Sequence, residues 1–308
     1  MNRIIRDIWL LLKLKIIWPL LRVIPLLLLR IAFLPLVTVV TIMYFPFRQK
    51  FLKMVYCYLD RPYFIIKGFV FLLRYYYQLI CQQVWLARSN SRIAAPIRIT
   101  GETRKKLDEI REQGKGIVFF SGHFLTGRLL QRWLNELQLE PYFISLHQTG
   151  EVKRIRDEAG VKSAEQKNLA YIYSMQEKMF ADRVTGVDTS IKRVYRHLKN
   201  NGSLLIYQDV IGLSENQVNF LGMKTNLASG AIKIARNTGS YLVPVVIKPG
   251  SVLTNPELIL GIPVDTQADY MDAEILMFGA LETFIKQYPY CWGYWNWFID
   301  SVETAVTV

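Results

Sequence analysis

Residues 116–128 read Gly-Ile-Val-Phe-Phe-Ser-Gly-His-Phe-Leu-Thr-Gly-Arg. A short apolar run, Ile117 to Phe120, stops at Ser121-Gly122; His123 follows at once, and then a segment with helical character. A short apolar run with two β-favouring aromatics, bounded by turn signals, reads as a strand. That constraint directs the chain to an α/β architecture. Such folds bind ligands beyond the carboxyl ends of their strands, so this pattern delivers a titratable side chain to the edge where chemistry occurs. The flanking sequence alternates accordingly: helices over 102–113, 125–139, 188–199, 227–237 and 271–287, and strands over 142–146, 203–207, 241–247 (broken by Pro244) and 257–261. Alternation of this kind predicts a mixed sheet with helices on both faces.

Charge divides the chain unevenly. The net charge is +13, yet residues 1–95 hold 14 Lys/Arg against two acids, Asp7 and Asp60, while the remaining residues are close to neutral. Basic charge mixed with long apolar and aromatic runs suits an anionic bilayer surface and argues against nucleic acid, whose partners carry their charge on a polar patch. Residues 31–47 form an uncharged run of 17, near the lower limit for crossing a bilayer, punctuated by Pro35 and Pro46. The stretch is too long for a cleavable signal peptide, and it reads as one transmembrane or re-entrant anchor with Arg48, Lys50 and Lys53 in a cytoplasmic headgroup layer. Residues 51–88 read as amphipathic helices rich in aromatics (Tyr56, Tyr58, Tyr63, Tyr75, Tyr76, Tyr77, Trp85), lying either in the membrane interface or on the globular body. The expected organisation is a hydrophobic anchor over 1–50, basic aromatic interface helices over 51–95, and an α/β domain over 96–308. Cys57, Cys81 and Cys291 are odd in number and widely spaced, which excludes a disulfide framework and a zinc motif and suits free thiols.

The three histidines differ in their setting. His197 lies among Lys192, Arg193, Arg196 and Lys199 and reads as part of a solvated helix face. His147 follows a strand and is a weaker edge candidate. His123, between a strand and a helix, has the address of a functional group. Asp209 ends the strand over 203–207 and reads either as a second group on the same edge or as a turn aspartate. Gly212, Gly222 and Gly230 are too scattered for a phosphate-binding loop.

Several blocks occur in a characteristic order: Gly122-His123-Phe124-Leu125-Thr126; the 188–209 segment ending in Asp209; Asn219-Phe220-Leu221-Gly222; the 227–244 segment ending in Val243-Pro244; and Pro289-Tyr-Cys-Trp292-Gly-Tyr-Trp295. This set resembles the late acyltransferases of lipid A biosynthesis, a branch of the lysophospholipid acyltransferase superfamily. The resemblance implies the α/β fold of that superfamily behind an N-terminal membrane anchor. It also implies transfer of a fatty acyl chain from an acyl carrier protein or acyl-CoA thioester to a hydroxyl of a lipid or glycolipid acceptor. His123 would be the general base, with no metal or cofactor, at the cytoplasmic face of a bacterial inner membrane. Gly122, Thr126 and Gly222 fall in the substrate-binding blocks.

The family pattern is His-x4-Asp/Glu, and here the acid's position holds Arg128. A guanidinium cannot accept a hydrogen bond from the imidazole, and its charge opposes the imidazolium. Three readings follow. His123 takes its carboxylate from elsewhere, with Asp209 the candidate; or Arg128 binds an anionic acceptor or donor while His123 acts unaided; or the chain is a catalytically silent relative that binds lipid or scaffolds an envelope-assembly complex.

Overall fold

The structure, a computed structural model, describes residues 20–21, 24–88, 97–124, 130–145, 184–186, 191–210, 217–250, 255–267 and 269–306. Three helices come first: α1 (Leu26–Tyr44), α2 (Gln49–Tyr58) and α3 (Ile65–Arg88). Then follow α4 (Gly101–Glu112), β1 (Ile117–Ser121), α5 (Leu130–Glu136), β2 (Tyr142–Ser145), β3 (Val184–Gly186), α6 (Lys192–Lys199) and β4 (Ser203–Tyr207). The chain continues through β5 (Gln217–Phe220), β6 (Met223–Asn226), α7 (Gly230–Thr238), β7 (Tyr241–Lys248), β8 (Glu257–Leu260), α8 (Tyr270–Gln287) and α9 (Trp295–Val306).

Six strands form one sheet in the order β3-β2-β4-β1-β7-β8, parallel except for β8, which runs antiparallel to β7. β1 is central, and all five of its residues are buried, as its uninterrupted apolar sequence requires. Side chains alternate between the two faces: Val118 and Phe120 join one core, Ile117 and Phe119 the other. The first core is closed by α2, α6, α7, α8 and α9, the second by α1, α4 and α5, and α3 contributes to both. The architecture is a mixed sheet flanked by helices, as the alternation predicts.

Local signals set the helix ends. The Thr100 hydroxyl accepts the Thr103 N–H at 3.1 Å to start α4, and Asp269 accepts the Met271 N–H at 2.8 Å to start α8. Gly239, at φ +67°, ends α7 in the left-handed conformation that glycine adopts without strain. One expectation is corrected here, because Pro244 does not break its strand. It sits where the pairing of β7 with β1 ends, and its carbonyl accepts the Gly261 N–H at 2.8 Å. Gly261 leaves room for the proline ring, since a Cβ there would lie 2.4 Å from Pro244 Cγ.

The N-terminal helices pack on the body. Leu52 and Val55 of α2 and Leu72 of α3 are buried in the first core, and Val37 of α1 in the second. Each such side chain contributes roughly 1.5–3 kcal/mol by leaving water. Pro35 lies inside α1 without ending it, and the 18 residues Leu27–Tyr44 are long and apolar enough to cross a membrane. Most of that helix's surface is not covered by protein.

Candidate active site

The register of β1 and β4 sets two side chains opposite each other. Ser121 pairs with Tyr207 at the carboxyl ends of these parallel neighbours. His123 lies two residues past Ser121, and Asp209 two residues past Tyr207. Equal offsets from paired residues on parallel strands bring both to the same edge at the same height. The Gln208 N–H donates to the Ser121 carbonyl at 3.0 Å and carries the pairing one step past the strand ends.

Asp209 is 1% exposed and accepts three hydrogen bonds. Its Oδ1 lies 2.6 Å from His123 Nδ1, while its Oδ2 accepts the His123 backbone N–H at 2.6 Å and the Trp292 Nε1–H at 2.8 Å. A carboxylate is acceptor-only, so the Nδ1 it faces carries the imidazole proton and Nε2 presents a lone pair. Glycine at 122 is a condition of this contact: a Cβ there would lie 2.9 Å from Asp209 Oδ2.

The C-terminal segment clasps the histidine. Phe124 forms an antiparallel bridge with Trp292, and the Gly293 N–H donates to the His123 carbonyl at 2.9 Å. The Tyr294 ring stacks on the imidazole at 4.0 Å with planes 8° apart, and the Tyr207 ring lies 4.8 Å away at 34°. Trp292 is itself held by an edge-on contact with Trp295 at 4.7 Å, and Trp295 Nε1–H donates to the Pro289 carbonyl at 2.6 Å. The His123 side chain remains 31% exposed. The result is an imidazole fixed by its Nδ1 side and one ring face, with no hydrogen bond to its other nitrogen among the described residues: an arrangement that can serve as an oriented general base.

Of the residues expected from sequence, His123, Asp209 and Gly122 come together at this edge. Gly222 does not join their contacts. With Leu221 it makes the two-residue turn of the β5–β6 hairpin, at φ +77° and +52°, and the Leu221 N–H donates to Glu282 Oε1 at 2.8 Å. Thr126, Arg128 and His147 lie outside the described residues. His197 is corrected: its Nε2 accepts the Ser203 N–H at 3.0 Å and its ring packs on Tyr142 at 4.8 Å, so it ties α6 to the start of β4 and is not a solvated side chain. Sequence reasoning missed Trp292 as a donor to Asp209 and Tyr294 and Tyr207 as neighbours of the imidazole. The signal lay in the aromatic density of 288–298, which carries no spacing that names a partner.

Burial pushes the Cys291 thiol well above its ordinary pKa, with Cys81 adding to the shift. That removes the thiolate as a nucleophile beside the site.

The model of a family described as bacterial lipid A biosynthesis acyltransferase matches residues 73–298, nearly three quarters of the chain. The match runs from within α3 to within α9 and contains the whole site. No curated protein matches the chain.

Proposed function

The chain belongs to the bacterial lipid A biosynthesis acyltransferase family, and from that premise we propose that it transfers a fatty acyl chain to a hydroxyl of a membrane lipid or glycolipid with His123 as general base and Asp209 as the group that orients it. The observation that carries this reading is the His123 Nδ1–Asp209 Oδ1 contact at 2.6 Å, while Nε2 makes no hydrogen bond among the described residues. In the step, Nε2 takes the proton of the acceptor hydroxyl as its oxygen attacks the thioester carbonyl carbon. The tetrahedral intermediate collapses by breaking the C–S bond, and the imidazolium returns the proton to the departing thiolate. Products are the acyl ester and a free thiol, and the step as written uses no metal or cofactor. Asp209 keeps Nδ1 protonated and stabilises the imidazolium; Trp292 and the His123 N–H hold the carboxylate.

The position where the family pattern has an acid holds Arg128, and under this reading its task passes to the end of the adjacent strand. That disfavours a silent relative, which has no use for an oriented, open imidazole. The donor is an acyl carrier protein or acyl-CoA thioester, and the site faces the cytoplasmic side of an inner membrane held by α1. Support for the membrane is the apolar, largely uncovered surface of α1.

The test is lipid mass spectrometry on a strain lacking the gene, complemented with the wild-type or the His123→Ala protein at matched expression. A lipid that gains one acyl chain only with wild type is expected, since loss of a general base costs about a hundredfold or more in rate. Identical lipid profiles, with the deletion phenotype rescued by both proteins, would overturn the reading.

A further inference from the structure

The imidazole is the inner end of a row of rings that reaches the surface. Tyr294 stacks on His123 at 4.0 Å, and Trp297 packs on Tyr294 at 5.1 Å with planes 56° apart. Trp297 is 38% exposed, although neighbours in its helix are buried: Trp295 and Phe298 supply the core face of α9, whereas Asn296 and Trp297 face outward. The N-terminal helix carries an apolar surface of its own. Leu28, Ile31, Val39, Ile42 and Met43 of α1 are exposed, and Phe47 just past it is 83% exposed. The next residue, Arg48, donates from Nη1 to Asn296 Oδ1 at 3.2 Å, which ties the end of the apolar strip to the first turn of α9, at the residue before Trp297. The helix that carries the exposed indole is thus joined at one point to the end of the strip, and through Tyr294 to His123.

An acceptor with fatty chains loses hydrophobic stabilisation with every methylene it brings into water. A row of ring faces lets such a molecule present its hydroxyl to Nε2 while its chains stay covered, and an exposed indole is the side chain suited to a boundary between apolar and wet surroundings. We propose that Trp297 and Tyr294 form the binding site for the chain-bearing end of the acceptor lipid, which moves onto them from the bilayer at Phe47 and Arg48. This rests on the acyl-transfer reading above and adds to it the residues that receive the acceptor. Trp297 contacts the acceptor's aliphatic part, and Tyr294 both bounds the path and holds the imidazole plane.

The test uses the full chain in vesicles of equal parts phosphatidylethanolamine and phosphatidylglycerol, with a benzophenone-bearing amino acid in place of Trp297, Phe47 or Glu112. Glu112 is an exposed position of the body and serves as the control. Irradiation is expected to give phospholipid adducts at 297 and 47 and none at 112. Adducts at 47 without adducts at 297 overturn this proposal while the membrane reading stands; absence at both overturns the two together. An adduct at 297 that carries only the donor's labelled acyl chain also overturns it. In kinetics, Trp297→Ser is expected to raise the apparent KM for the acceptor lipid in mixed micelles about tenfold, with Trp297→Phe restoring most of it. An unchanged KM in Trp297→Ser refutes the assignment.

Discussion

Replacing Asp209 with asparagine keeps the shape of the side chain and removes one acceptor, so its effect follows from the three N–H groups that converge there. They lie 2.6, 2.6 and 2.8 Å from the two carboxylate oxygens of a side chain that is fully buried. An amide has one oxygen and one NH2, and neither orientation satisfies the site. With the oxygen toward the His123 and Trp292 N–H groups, the NH2 faces Nδ1, which must then offer a lone pair, and the imidazole proton moves to Nε2, the atom that receives the acceptor's proton in the proposed step. With the oxygen toward Nδ1–H, two buried N–H donors point at an NH2, each left unsatisfied at a cost of about 1–3 kcal/mol. The inactive tautomer is thus favoured by about 2–6 kcal/mol, and the rate falls between roughly 30-fold and 10^4-fold. The upper end is about what loss of the orienting acid costs in a Ser-His-Asp triad. The assay is transfer of a labelled acyl chain from thioester to extracted membrane lipid, with circular dichroism to establish that the variant is folded. In a His123→Ala background the same substitution should add less than about threefold, because two groups that act as a unit are not additive. A folded Asp209→Asn protein within about threefold of wild type refutes the reasoning, as does a full additional loss in the double variant.

Trp292→Phe deletes the indole donor at 2.8 Å from Asp209 Oδ2 and leaves the His123 N–H in place, so kcat should fall about tenfold at unchanged acceptor KM, with stability lower by about 1–3 kcal/mol as contacts with Phe220, Trp295 and Phe298 loosen; an unchanged kcat in urea-stable protein counts against the clasp. Leu52→Ala in α2 empties a fully buried position in the first core and should cost about 2–5 kcal/mol in the main unfolding transition. A separate early transition would mean that α2 unfolds independently of the body. Thiol labelling gives a further check. Cys57 is exposed, whereas Cys81 and Cys291 are buried. The raised pKa of Cys291 means less thiolate at any pH, so native protein should take up one maleimide and unfolded protein three. Rapid uptake of a second label in the native state contradicts the packing of α3 against 289–291.

The elements that sequence made legible are those whose burial shows in composition. β1 reads as a strand because its apolar residues are bounded by Gly116 and Ser121-Gly122, though its central place in the sheet is a long-range fact, and the helix over 102–113 differs by one residue at each end from α4 because Thr100 and Gly114 mark its limits. The expected break at Pro244 was wrong for a tertiary reason. Proline costs a strand one donor, and this one occupies a ladder end where its carbonyl still bonds and a glycine just past the neighbouring strand makes space. His197 was misread because charge along a helix shows which residues can face water and says nothing of a ring nitrogen that folds back onto the next strand's first N–H. The aromatic helices over 51–88 leave two outcomes open in sequence, interface or body, and the fold shows packing on the body: Leu52, Val55 and Leu72 lie in the core, while Phe64, Ile65 and Ile66 are exposed.

The site was legible as far as an edge can be read from strand ends. His123 and Asp209 each follow an apolar run by a short polar step, which suffices to place both at carboxyl termini and leaves open whether β1 and β4 are neighbours. Adjacency and register are long-range facts, and only Ser121 opposite Tyr207 converts two edge residues into a hydrogen-bonded pair. The same geometry explains how an oriented histidine is compatible with arginine at 128. An acid five residues ahead of the histidine depends on the path of the following segment, whereas an acid at equal offset on the adjacent parallel strand depends only on the sheet, the most rigid part of the fold. Trp292 adds to this: a buried carboxylate needs its lone pairs satisfied by protein, and Oδ2, which accepts the His123 N–H, takes a second donor that the sheet does not supply. That donor is an indole from the segment before α9, so the surroundings of the His123–Asp209 pair are complete only when residues nearly 170 positions later have docked.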